Sequence, residues 1–182
     1  MPAKTLSLPT VPAADYIQAV ALHVSSVCVI TTALAGERFG LTATAVSSVS
    51  AEPPRLLVCI NKSGVSLDKI LAAGHFCVNV LAEEQDKIAM VFAGMGGSAA
   101  DRFETGEWTT LKTGSPVLVG AVAVFDCMLG ETCDQSTHRV VFGDVVATAE
   151  RSGRDTLLYG GRRFRQLRKV FAALGDGNRE YL

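Results

Sequence analysis

The stretch Gly40-Leu41-Thr42-Ala43-Thr44-Ala45-Val46-Ser47-Ser48-Val49-Ser50 constrains this chain most, because it has strand character yet is built almost wholly from small and hydroxyl side chains. Read as one strand, it puts Thr42, Thr44, Val46, Ser48 and Ser50 on one face and Ala43, Ala45, Ser47 and Val49 on the other. Strands that only fill a core favour branched and aromatic residues. Small side chains instead leave the backbone open to a flat ligand, so the stretch reads as a docking wall. Pro53-Pro54 closes it, and Leu56-Leu57-Val58-Cys59-Ile60 follows as a buried strand.

The polar segment 61–66 then leads into a short helix over 66–73, with Ser66 as its N-cap and Gly74 just past its end. Free N–H groups at a helix start favour an anion, and Lys62, Ser63 and Ser66 stand nearby. An anion grip and an ordinary polar turn both fit this spacing.

With 182 residues the chain is long enough for one domain with a core that needs neither disulfides nor metal. A net charge of −1 and a charged content of 19% argue against a nucleic-acid or acidic-membrane partner. The apolar content of 48% favours a subunit interface. Five cysteines without a Cys-x-x-Cys pair read as reduced core residues of a cytoplasmic protein, with no metal role. No run is long enough to span a membrane, and the first residues lack the apolar core of a signal peptide.

In chain order, a proline-bearing arm over 1–12 precedes a domain over 13–170 and a tail over 171–182. Ile17, Val20, Ala21 and Val24 recur at helical spacing, and His23 nearby reads as a surface or satisfied histidine. The strand 27–33 forms a hairpin with 39–50 across Ala35-Gly36-Glu37. A strand over 76–81 precedes a helix over 83–92. The run Gly94-Met95-Gly96-Gly97 follows that helix, not a strand, and so fails the context of a dinucleotide loop. Asp101-Arg102-Phe103 either covers a ligand or connects elements, and Trp108 is core. A single long strand is expected over 116–128, a polar interruption over 133–138, and a strand over 139–147 with a bulge at Gly143. A last strand over 157–159 leads to a basic segment in which Arg163, Arg168 and Lys169 are solvated. Many strands, few helices and no βαβ alternation give a mainly β antiparallel barrel with helical additions.

The wall, Pro53-Pro54 with Leu57 to Asn61, Cys77-Val78-Asn79-Val80-Leu81, Phe92-Ala93-Gly94, Arg102-Phe103, Ser136-Thr137-His138 and Leu158-Tyr159 before Arg163-Phe164 together resemble the short-chain flavin reductase family. These are split-barrel enzymes that supply reduced flavin to two-component monooxygenases such as the 4-hydroxyphenylacetate hydroxylase system. The resemblance implies a split β-barrel homodimer, FMN or FAD as the flavin, and NADH, with NADPH as the other donor. It places Thr42, Ala43, Thr44 and Ala45 along the isoalloxazine and Ser47 and Ser48 at its polar atoms. Cys59, Ile60 and Asn61 would flank the ribityl chain, Ser66 would take the phosphate, and Phe92 and Ala93 would meet the rest of the nucleotide. His138 and Tyr159 would face the nicotinamide, with Arg162 beside them, though Ser136 replaces the glycine found in many relatives. Hydride transfer needs no triad or paired carboxylates, and the sequence offers none. Other electron acceptors (a cobalt corrinoid or a ferric chelate) and a flavin-binding protein without turnover are the alternatives.

Overall fold

The antiparallel sheet at the centre of the structure has its two edge strands joined by the shortest of links, and that link forces the sheet to roll up. In the computed structural model, which describes residues 8–95 and 100–167, α1 (Ala13–Val20) leads to β1 (Ser25–Ser26), β2 (Cys28–Leu34), β3 (Glu37–Ala43), β4 (Val46–Ala51) and β5 (Pro54–Asn61). Next come α2 (Val65–Ala73), β6 (His75–Val80), α3 (Asp86–Phe92), a 3-10 turn over Ala100–Glu104, β7 (Trp108–Thr110) and β8 (Pro116–Leu118). The long strands β9 (Ala123–Gln135) and β10 (His138–Glu150) and the short β11 (Leu158–Gly160) and β12 (Arg163–Arg165) complete the chain.

Seven strands pair in the order β3-β2-β6-β9-β10-β5-β4. Laid flat, they would hold β3 and β4 ~29 Å apart, but Ala43 and Val46 are three residues apart and within ~11 Å of each other. The sheet therefore curls until its edges meet, and Cys59 N–H donates to Ala45 C=O at 2.9 Å beside the join. The edges do not pair with each other, which leaves a split barrel.

The expected single strand over 40–50 is thus two strands on opposite edges. The break at Thr44-Ala45 also shifts the alternation by one residue: Ala43 and Val46 would face opposite ways in one strand, yet both pack on the same interior cluster. The expected hairpin is present, with Cys28 opposite Ala43 and a tight turn at Ala35 (φ 53°) and Gly36 (φ 84°).

Inside the barrel lie Ile30, Val58, Ile60, Phe76, Val78 and Val141, with Leu67 and Ile70 of α2 plugging one end. A second cluster covers the outer side of β2 and β6, where Val29, Cys77 and Leu81 meet Phe92, Phe103, Leu118 and Leu157. Because β2 is covered on both sides, Cys28 to Thr32 are all buried, and the Thr31 and Thr32 hydroxyls donate to the Pro116 and His75 carbonyls.

The strand expected over 116–128 divides at Gly120 (φ 87°), where the chain turns from β8 into β9. Asn79 secures that turn: its side-chain oxygen accepts from Leu118 N–H at 2.7 Å and its amide donates to Val29 C=O at 3.1 Å. The polar run 133–138 does not interrupt the sheet; β9 and β10 continue through it to a two-residue turn at Ser136-Thr137, with Ser136 at φ 46°. Registers shift between Val141 and Gly143, at the expected bulge.

Five cysteines are free; Cys28, Cys77 and Cys127 are buried, and burial pushes the Cys28 and Cys127 thiols up to about 12. Cys59 is half-buried and Cys133 exposed, so the core reading fails for Cys133. α1 buries none of its side chains; Ile17 and Val20 are 52% and 46% exposed, because among the described residues no element lies across them. The tail over 171–182, Arg168 and Lys169, residues 1–7 of the arm, and Gly96 and Gly97 lie outside the described residues.

Candidate active site

Two grooves meet at the join between β3 and β4, and a third opens farther back along β3. The first, of about 520 Å³, is lined by Thr44, Ala45, Val46 and Ser47 at the join, by Leu57 and Cys59 of β5, and by His23, Ser25 and Tyr159 across from them. The second, of about 420 Å³, shares Thr44 and Tyr159 and continues past Thr42, Ala89, Met90 and Ala93 to Arg162, Arg163 and Phe164. Tyr159 therefore divides two mainly apolar grooves beside the join between β3 and β4. Its ring meets Phe164 edge-on, with centroids 5.7 Å apart. β1 fixes it from the other side, since Ser25 is its pairing partner.

The third groove, of about 470 Å³, runs from Arg38 to Leu41 of β3 and past Ile60, Asn61 and the start of α2 to Arg102 and Phe103. Gly64, not Ser66, is the N-cap of α2, and no side chain caps the helix. Ser66 instead lies in the first turn and donates its hydroxyl to Gly40 C=O at 3.2 Å. Asn61 takes the Ser63 N–H and hydroxyl, both at 2.9 Å, and so shapes the loop. The first amides of α2 are left to face the groove uncapped. Arg102 donates to Gly40 C=O at 3.1 Å, and the Arg38 guanidinium lies 4.7 Å from the centre of the Phe103 ring. Two guanidiniums and a helix start line this one groove, and the residues present fit a nucleotide phosphate.

The site residues expected from sequence distribute unevenly over these grooves. Thr44, Ala45, Ser47, Cys59 and Tyr159 share the first; Thr42, Ala93 and Arg162 line the second; Ile60, Asn61 and Ser66 line the third. Thr42 has its hydroxyl committed to Ala89 C=O at 2.6 Å, which ties β3 to α3. Ala43 faces the barrel interior, and Phe92 is buried among Phe103 and Trp108. Ser48 lines a further hollow, shared with Val46 and Ser47 and bounded by Ser26, Leu56 and Val145, and does not reach the first groove.

His138 lines none of the three grooves. It pairs with Asn61 at the exposed end of the β9–β10 hairpin, with Nδ1 2.9 Å from the Thr137 hydroxyl. Nearby, Arg139 grips Asp134 through bonds of 2.6 and 3.0 Å and holds that carboxyl below the usual range.

Sequence reasoning passed over Arg38 and Met90 and gave His23 no role at the site. Arg38 and His23 stand next to turns, where polar residues carry no signal. Met90 sits on the α3 side that the periodicity left unassigned. Among the described residues no cluster of His, Cys, Asp and Glu could hold a metal ion, and no helix is long and apolar enough to cross a membrane.

Residues 20–168 match the flavin reductase like domain. The chain belongs to that family. The flavin reductase-like domain thus covers every groove just described. The chain is 42% identical over 156 residues to an FMN reductase (NADH) RutF of Ancylobacter novellus, a match spanning 86% of each chain. Among solved structures it resembles the NADH:FAD oxidoreductase SgcE6 of Streptomyces globisporus in complex with NAD and FAD fragments. That likeness has a TM-score of 0.78 and 30% identity, over 93% of this chain and 100% of that one. It also resembles nitrilotriacetate monooxygenase component B from Mycobacterium thermoresistibile, with a TM-score of 0.79 and 29% identity over 85% and 86% of the two chains.

Proposed function

We propose that this flavin reductase takes electrons from NADH, reduces FMN and passes the reduced flavin to a partner monooxygenase. The observation that carries the reading is the meeting of two apolar grooves at Thr44 and Tyr159, continuous in the same wall with an anion site at the start of α2. Flavin fits the names of the relatives, FMN fits the RutF relative in particular, and the monooxygenase recipient fits the component B relative.

When bound, the flavin accepts a hydride from the reduced nicotinamide. The chain's own part is to hold both rings in contact and keep water from between them. Thr44 and Ala45 contribute a wall with no bulk, and the Tyr159 ring divides the space into two ring-sized grooves. The α2 amides and the two arginines anchor a phosphate, so that binding energy distant from the rings fixes their position. The Ser66 hydroxyl, spent on Gly40 C=O, holds β3 against α2 beneath that phosphate. Ser66→Ala should accordingly cost ~1 kcal/mol of flavin affinity, read as a fluorescence titration beside a melt of the ligand-free protein. An affinity equal to the native one would take Ser66 out of the site.

The working unit is a homodimer. α1 presents Tyr16, Ile17 and Val20 with no cover from the described residues of its own chain, and Leu22 and Val24 extend the patch. His138 lies off the grooves of its own chain, so its role at the nicotinamide depends on the β9–β10 hairpin of a second copy. Light scattering at micromolar concentration should give twice the chain mass; a monomer would remove both the dimer and the His138 assignment. For the function itself, loss of NADH absorbance on mixing protein, free FMN and NADH is the test, and no loss above the protein-free rate would sink it.

A further inference from the structure

We propose that His23 is a ligand-binding residue of the first groove, offering its Nε2 to the amide edge of a flat ring. The proposal rests on the flavin and nicotinamide reading above and adds a residue to it.

Three observations hold His23 at the site. It lines the groove with Tyr159, Thr44 and Ala45. Its Nδ1 lies 3.0 Å from the Ser25 hydroxyl, and Ser25 is the strand partner of Tyr159, so His23 is tied to the residue directly across from the tyrosine. The segment that carries it is clamped: Gly161 N–H donates to Ala21 C=O, and a side chain added at Gly160 would come within 2.7 Å of Val24. His23 thus follows α1 into the groove on a short, pinned stretch, unlike a histidine on a free turn.

The chemistry follows from the Ser25 bond. A serine hydroxyl both donates and accepts, so it supports either tautomer of the imidazole. With Ser25 donating to Nδ1, Nε2 carries the proton and is a donor; with Ser25 accepting, Nε2 is an acceptor. An amide edge presents a carbonyl beside an N–H, and an imidazole with this freedom suits either half of it. The rest of the groove is largely apolar, as expected where a ring is gripped by its faces and oriented by few polar groups. Two ligands of the proposed reaction carry such an edge: the pyrimidine side of a flavin and the carboxamide of a nicotinamide.

Asparagine places its amide near the position of Nδ1 and keeps the Ser25 bond, whereas glutamine reaches the position of Nε2. His23→Ala, His23→Asn and His23→Gln should all melt like the native protein without ligand. FMN titrated alone, and oxidised NAD titrated onto the FMN-loaded protein, give the two arms. In one arm Ala and Asn should weaken binding ~3- to 10-fold, the worth of one hydrogen bond, and Gln should restore most of it. A loss confined to the FMN arm assigns the edge to the flavin, and a loss confined to the NAD arm assigns it to the nicotinamide. Native affinity in both arms for Ala and Asn would overturn the proposal, as would equal weakening by all three variants. Failure of the native protein to bind FMN would instead overturn the function on which it rests.

Discussion

Phe92→Ala should destabilise the protein by ~3–5 kcal/mol, the largest loss expected from any residue first placed against the ligand. The ring is 2% exposed, meets Phe103 edge-on at 5.0 Å and lies 5.4 Å from Trp108. It also lies against β3, where a side chain at Gly40 would approach it to 2.7 Å. Truncation would therefore open a cavity under the wall of the third groove and release Phe103, the ring on which Arg38 rests. Flavin affinity should fall as a consequence of that loosening. Phe92→Leu separates the two effects, because it refills most of the volume without an aromatic face. It should keep most of the stability in denaturant unfolding and most of the flavin affinity. A Leu variant that melts normally but no longer holds flavin would return Phe92 to direct ligand contact.

How much of this was legible in the sequence depends on whether a residue's neighbours lie near it along the chain. The β2–β3 hairpin needed only apolar runs on either side of Ala35-Gly36, and α2 ended at its glycine as local rules require. The break at Thr44-Ala45 has no glycine or proline to mark it. It exists because two edges of a rolled sheet must meet there, a demand set by strands far away in sequence. Gly120 did carry a turn signal, but residues apolar on both sides of it read as one doubly buried strand. Ser66 satisfied the residue preference for an N-cap, yet the cap falls two residues earlier at Gly64 and the serine hydroxyl finds Gly40 instead. The pairing of Ser25 with Tyr159 joins segments with more than a hundred residues between them, and nothing local could have announced it.

The two alanines of the wall give the sharpest contrast. Ala43→Leu and Ala45→Leu add the same atoms two positions apart, and a continuous strand would put both on the ligand face. In the structure Ala43 is 9% exposed and packs inside the barrel, while Ala45 is exposed and lines the first groove. Leucine at 43 must push into a filled interior near Ile30, Val58 and Ile60, so it should lower stability by ~1–3 kcal/mol. Leucine at 45 has solvent in front of it and should leave the melt of the ligand-free protein unchanged. It would, however, fill the space where a ring must reach the backbone, and flavin affinity should drop at least ~10-fold, or ~1.4 kcal/mol. Unfolding curves and flavin titrations on both variants read the two effects independently. If Ala45→Leu bound flavin as tightly as the native protein, the join between β3 and β4 would be a packing feature and the ring would have to sit elsewhere.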